Sequence, residues 1–286
     1  MLFRSAALST YPKRSVNYPT PLPDTAGIPA PVQDLLLVAP YNDLEATRGI
    51  VESHADELAA IIVEPIQRII SPAEGFLEGL RELCDEHGVV LIFDEVVTGF
   101  RYGLGGAQGH FGVMPDLCTL GKIVGGGTPL GAIAGRESIM WRCDPTLKGG
   151  DEYVYQNGTL NGNPLSTAIA LATLDELAKP GVYEALFAQA DRLRAGISEV
   201  LDAKGVPAVC FGYGPMWHIL FAPHPPRNHR DVMAADTQAL LALDYALIRE
   251  GLFVLPGNRR FISTAHTDQD LEDTFAAVAQ IGRAHV

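Results

Sequence analysis

Positive charge, cysteine and long apolar runs are all scarce in this sequence, and each scarcity removes a class of function. Lysine and arginine number 21 against 34 aspartates and glutamates, a net charge of −13 with a pI near 5.0. A surface of that sign repels a phosphate backbone, so nucleic acid is not expected as a partner. One small anion is still allowed, because local backbone donors outweigh the overall field at short range. The four cysteines, Cys84, Cys118, Cys143 and Cys210, are widely spaced without a CxxC pair. A chain this long needs no disulfide framework, so a reducing, cytoplasmic setting is expected. Cys84 and His87 have C-x-x-H spacing with no second pair, which leaves zinc without a ligand set. No apolar stretch nears the length of a membrane span, and Val89-Val90-Leu91-Ile92-Phe93 suits a buried strand at most. Arg4, Lys13 and Arg14 lie among small and polar residues, not around an apolar signal core.

What is present is the composition of a packed protein. Apolar residues make up 47% of the 286 and charged residues 19%, enough for one large or two ordinary domains. Residues 1–33 are rich in Pro, Thr and Ser and read as an irregular segment. Leu2-Phe3-Arg4-Ser5 and the last six residues, 281–286, read as non-native tails. From Asp34 a regular alternation begins. Strands are predicted at Leu35–Val38 and 59–63, with a helix between them capped by Asn42 or Asp43. An amphipathic helix is predicted over 74–87 with Gly88 as its stop, then a strand from Val89 to Phe93. Shorter strands are expected at Leu117–Leu120 and Gly131–Ala134, and long helices at 164–178 and 181–203. Beyond them come a strand at Met216–Phe221, one helix over Val232–Arg249, strands at Leu252–Leu255 and Phe261–Thr264, and a last helix from about Asp268. Apolar strands separated by helices indicate an α/β protein with a mostly parallel sheet. The expected division is a large domain over 34–200 and a smaller α/β domain over 201–280.

Three features carry chemistry. Asp94 follows the most apolar strand, where a carboxylate is costly unless paired or solvated. A lone acid there more often caps a turn, but carboxyl ends of parallel strands are also where α/β sheets bind ligands. Lys122 is a single ammonium in Leu117-Cys118-Thr119-Leu120-Gly121-Lys122-Ile123-Val124, followed by Gly125-Gly126-Gly127. A desolvated lysine becomes a nucleophile for carbonyls, although a lysine near glycines is commonly a solvated loop residue. In Gly158-Thr159-Leu160-Asn161-Gly162-Asn163-Pro164, Asn163 and Pro164 signal a helix start with a hydroxyl nearby. The nucleotide-binding motifs fail: no G-x-x-x-x-G-K-[ST] loop precedes Ile123, and Gly103-Leu104-Gly105-Gly106-Ala107-Gln108 lacks its third glycine. An acid for a pyridinium proton, an amine for an aldehyde and a hydroxyl for a phosphate are together the demands of pyridoxal phosphate (PLP).

Val63-Glu64-Pro65, the run Phe93 to Arg101, Pro115 to Lys122 and Gly158-Thr159 to Pro164 resemble, in order and spacing, the motifs of class III PLP-dependent aminotransferases. The likeness runs from about residue 34 to 280 and is nearest to glutamate-1-semialdehyde aminomutase-like members; Phe261 to Thr267 resembles the family's C-terminal strand. The resemblance implies the type I PLP-transferase fold and a homodimer with shared sites. It implies that Lys122 holds the cofactor as an internal aldimine and then moves the substrate proton. Asp94 would keep the pyridine nitrogen protonated, Val96 would pack on the ring, and Thr159 would reach the phosphate across the dimer. The family's phosphate-binding Gly-Ser/Thr loop and ring-stacking aromatic have no counterpart ahead of Asp34, so the chain resembles an N-terminally shortened member. Ile69 stands where ornithine- and GABA-type relatives carry an acid, which argues against that subgroup and makes Arg68, Arg259 and Arg260 candidates for a substrate carboxylate. The reaction implied is transamination of a small amino or keto acid. The alternatives are intramolecular amino transfer and, in another class, a non-catalytic PLP-fold binding module or inactive fragment. His218, His224 and His229 are expected in surface loops, and His266 in a structural role.

Overall fold

The computed structural model describes residues 8–9, 18–23 and 26–281 and divides the chain into two compact units. The first runs to Pro65 and resumes over Pro72–Glu176; the second comprises Ile66–Ser71 and the chain from Leu177 onward. The proposed tails lie outside the described residues, except Ile281, which is buried.

The first unit opens with the short antiparallel pair β1 (Leu8–Ser9) and β2 (Leu22–Pro23), then α1 (Ala30–Gln33). Helix α2 (Leu44–Ser53) begins at Asp43, whose side chain accepts the Ala46 amide at 3.0 Å. After β3 (Ala60–Val63), α3 (Phe76–His87) buries Phe76, Leu77, Leu80, Leu83 and Cys84 on one face. Gly88, in the left-handed region at φ 67°, ends it as predicted. Strand β4 (Val90–Glu95), helix α4 (Gly106–Phe111), β5 (Leu117–Leu120), β6 (Ala132–Gly135) and α5 (Glu137–Met140) follow, with α6 (Pro164–Leu177) last.

The sheet order is β3-β4-β5-β6, parallel across β3, β4 and β5, with β6 antiparallel at the edge. Pairing sets Phe93 beside Val63 and Cys118, and Asp94 beside Thr119. Burial along β4 alternates strictly: Leu91, Phe93 and Glu95 are sealed, while Val90, Ile92 and Asp94 are half-buried. Burying each large apolar side chain contributes about 1.5–3 kcal/mol, so Leu91 and Phe93 hold this strand rotation. At its amino-terminal end Asp116 ties the sheet together. It accepts the Leu91 amide at 2.7 Å and pairs with Arg81 and Arg136, each at 2.8 Å.

The second unit packs α7 (Val182–Lys204) on an antiparallel sheet of β7 (Val209–Tyr213), β8 (Met216–Leu220) and β9 (Arg260–Phe261). Helices α8 (His229–Ala234), α9 (Thr237–Arg249) and α10 (Asp268–Gln280) complete it. Every residue of β8 is buried, and its core joins Leu193, Ile197 and Leu201 of α7 to Ile219, Leu243, Leu247 and Leu271.

Several expectations change. Leu35–Val38 forms no strand: Leu35 is 82% exposed, and no neighbouring strand takes up its backbone groups among the described residues. The helix predicted over Val232–Arg249 is two, because Asp236 starts α9 by accepting the Gln238 and Ala239 amides. Leu252–Leu255 is not a strand, and only Arg260–Phe261 of the next segment pairs. The boundary falls between Glu176 and Leu177, not near residue 200, because α7 packs on β7, β8 and α10. His218 is no loop residue: it lies in β8 and is buried.

Candidate active site

The carboxyl edge of the parallel strands gathers the first set of predicted residues. Asp94 is the penultimate residue of β4, and its Oδ1 accepts the Val96 amide at 3.1 Å and the Thr119 hydroxyl at 3.2 Å. These two donors fix one edge of the carboxylate from the protein side. The Thr119 contact follows from register, since β5 sets that residue directly beside Asp94. Two residues past the end of β5, Lys122 opens a short 3-10 turn, Lys122–Gly125. Its backbone is left-handed, φ 52°, a costly conformation for a residue with a side chain and one that concentrates at functional sites.

Val96 closes the gap between them. A Cβ built on Gly121 would meet the Val96 Cγ1 at 3.3 Å, so the valine lies against the backbone just before Lys122. The turn's far side is equally close, since Gly126 abuts Thr173 and Ile169 of α6. Asp94, Val96, Thr119 and the Lys122 turn therefore occupy the ends of two adjacent parallel strands.

Thr159 stands exposed in the turn before α6. There Asn163 caps the helix: its Oδ1 accepts the Leu165 amide at 2.9 Å and the Ser166 amide at 3.2 Å. Those two donors are thus already engaged, and the hydroxyl of Thr159 is the predicted phosphate contact in this segment. The predicted substrate arginines all belong to the second unit. Arg68, at φ 60°, lies in the tight turn closed by the Gln67–Ile70 bridge. Arg259 is half-buried with its guanidinium 5.9 Å from the Phe261 ring centre. Arg260 is turned inward, 6% exposed. It pairs with the fully buried Asp244, approaches His218 Nδ1 at 2.9 Å and lies 5.1 Å from the Trp217 ring centre. A guanidinium only donates, so His218 Nδ1 accepts and the ring is neutral. Burial first, then Arg260 and Arg259, pushes the His218 pKa down to about 3.

Sequence reasoning missed two residues here. Thr119 is legible only once the β4–β5 register is known. Glu95, fully buried, shows one signal in advance: strand alternation from Leu91 and Phe93 sends it to the sealed face.

The fold, the parallel-strand edge and the lysine turn define an α/β protein of the PLP-transferase type, and comparison places it. The chain belongs to the class-III aminotransferase family, whose model matches residues 6–264. That match reaches back well before Asp34, so the Pro-rich segment belongs to the family sequence too. A glutamate-1-semialdehyde 2,1-aminomutase 2 of Brevibacillus brevis is 42% identical over 91% of this chain. An omega-transaminase from Sphaerobacter thermophilus superposes with a TM-score of 0.86 at 36% identity over 92% of this chain. A transaminase with PLP bound gives 0.81 at 27% identity over 93%. The chain spans 60% of the length of the first two and 61% of the third. Among the described residues no helix is long and apolar enough to cross a membrane.

Proposed function

We propose that this chain carries the lysine-and-aspartate part of a PLP-dependent active site that transfers an amino group between small amino and keto acids. The observation that supports it is the meeting of Asp94, Val96 and the Lys122 turn at the ends of β4 and β5. PLP fits this donor set. A carboxylate braced by Thr119 suits a protonated ring nitrogen, and an amine on a constrained turn suits an aldehyde. When bound, the cofactor supplies an electron sink for the carbanion of the substrate. The Asp94 carboxylate would hold the proton on the ring nitrogen, with the Thr119 hydroxyl and the Val96 amide keeping the carboxylate aimed. Val96 would cover the ring and keep water from it. Lys122 would hold the cofactor through its amine and, once a substrate amine has displaced it, the freed amine would be the base that moves the proton at the substrate α-carbon. Thr159 binds the phosphate from the neighbouring subunit of a homodimer with shared sites, in the cytoplasm. Of the three arginine candidates for the substrate carboxylate, Arg68 and Arg259 remain, because Arg260 is buried and committed to Asp244.

A second reading, intramolecular amino transfer, is favoured by the 42% identity to an aminomutase. Both reactions use the same residues up to the proton transfer, so the donor requirement separates them. Titrating the chain with PLP should give a saturable yellow absorbance that is lost in Lys122→Ala. Amino donor alone should bleach it if transamination is the reaction, with recovery on adding a keto acid. Turnover without any keto acid favours the mutase. Absence of a Lys122-dependent band sinks the catalytic reading and leaves a binding module or an inactive fragment.

A further inference from the structure

Strand β4 ends in two acids that strand alternation sends to opposite faces, and Glu95 is the one hidden. It is fully buried, and among the described residues no lysine or arginine pairs with it. Four donors satisfy it instead. Its Oε2 accepts the Thr98 hydroxyl at 3.0 Å and the Ala107 amide at 2.6 Å. Its Oε1 accepts the Gln108 amide and the Gln108 side-chain Nε2, both at 3.0 Å. The protein is shaped round it: Gly106 is left-handed, φ 63°, and a Cβ there would lie 2.5 Å from Oε2. Thr98 is itself 1% exposed.

A buried carboxylate without a cation is an expensive way to fill a sheet face that Leu91 and Phe93 fill with hydrocarbon. Its use is geometric. Through three of those bonds the end of β4 is tied to the segment that returns twelve residues later at Ala107, so the strand cannot rotate at Glu95. The residues on either side, Asp94 and Val96, emerge on the opposite face. One is braced by Thr119, and the other lies against Gly121, next to Lys122.

We infer that Glu95 is a positioning residue: by gripping Thr98, Ala107 and Gln108 it sets the rotation in which Asp94 and Val96 are presented to the Lys122 turn. Its consequence for the cofactor rests on the function proposed above; its consequence for the turn does not.

Hydrogen–deuterium exchange on the full chain tests it, comparing wild type with Glu95→Gln and Thr98→Val. Gln keeps the size but turns an NH2 toward two of the donors, and Val removes one donor with little change of shape. Exchange in residues 121–126, the turn beyond Leu120, the β5 partner of Glu95, should rise about tenfold, the effect of weakening one buried hydrogen bond. Residues 76–88 should exchange as in wild type. With PLP added, the pH midpoint of the absorbance band should move in both variants. Should Glu95→Gln not fold, Thr98→Val decides alone. If exchange speeds up only in 95–108 and in the paired strand 117–120, and the pH midpoint stays put, Glu95 is a local brace and the inference is overturned. Failure of the PLP reading looks different: wild type gives no Lys122-dependent band, while the exchange in 121–126 still responds.

Discussion

Glu95 and Asp244 are both completely buried acids, one in each compact unit, and their surroundings treat them in opposite ways. Glu95 is neutralised by dipoles alone, four hydrogen bonds from Thr98, Ala107 and Gln108. Asp244 is neutralised by a charge: it pairs with Arg260 and also accepts the Gly257 amide at 2.7 Å. Burial pushes the Asp244 carboxyl above the usual range, with Arg260 and the Gly257 amide pulling back. The two solutions fail differently. A dipole cage loosens one donor at a time, whereas an ion pair that loses a partner leaves a bare charge in hydrocarbon.

The largest effect should therefore come from the second unit. Arg260→Ala strands Asp244 and should destabilise by about 3–5 kcal/mol, measured as the shift of a urea denaturation midpoint. Asp244→Leu combined with Arg260→Met should recover most of that loss, because removing both charges together is close to neutral. A double variant as unstable as Arg260→Ala would show that the pair itself, and not the orphaned charge, holds β8, β9 and α9 together.

The first unit's cage should yield less. Gly106→Ala forces a side chain into a left-handed backbone and against Glu95 Oε2, 2.5 Å away. Strain of this kind costs about 1–3 kcal/mol. A thermal melt unchanged from wild type would mean that the cage gives way freely, and its contrast with the ion pair would be sharper still.

The two units should also differ in acid. His218 is held neutral with a pKa near 3, and the unfolded chain protonates at its ordinary value near 6.5. Between those values the unfolded state binds the extra proton, so stability is present above the window and is lost as pH falls through it. The slope approaches about 1.4 kcal/mol per pH unit for one proton. In the first unit Asp116 works lower. Burial alone would raise its pKa, but the Leu91 amide, Arg81 and Arg136 more than offset this and hold it below the usual value. Its contribution persists above the unfolded carboxylate range and is lost only as pH falls through the lower folded value. Exchange protection followed from pH 7 downward should fail first in β8 and α9, and His218→Gln, which keeps an acceptor for Arg260, should flatten that early loss.

These contrasts mark what the sequence could tell. Strands β4 and β5 and helix α3 were legible because apolar periodicity and Gly88 state them locally. Asp94 and Lys122 stood out because PLP chemistry asks for unusual residues at strand ends, and the structure sets both at the ends of adjacent strands. Leu35–Val38 and Leu252–Leu255 misled because an apolar run becomes a strand only where another strand accepts its hydrogen bonds, and pairing partners are not written nearby. The break between α8 and α9 turned on whether Asp236 would face outward or cap, which its contact with the chain at Phe221 decides: the Asp236 amide donates to that carbonyl at 3.1 Å. Arg260 read as a substrate ligand because an arginine beside Arg259 looks exposed until Asp244, sixteen residues earlier, is found beneath it. Glu95 was hidden for the same reason, its donors lying as far on as Gln108.

The smallest effect tests whether either unit's polar devices extend to the helix before which Thr159 stands. Asn163 Oδ1 takes the Leu165 and Ser166 amides at the start of α6, and its removal by Asn163→Ala should cost about 0.5–2 kcal/mol. It also frees two backbone donors a few residues from the threonine proposed to bind phosphate. If that proposal holds, inorganic phosphate should protect Asn163→Ala against thermal unfolding more than it protects wild type, because the uncapped amides can now join Thr159 in binding the anion. In Thr159→Val with Asn163→Ala the extra protection should shrink. Equal protection with and without the Thr159 hydroxyl would detach this turn from phosphate and leave Asn163 as a helix cap alone.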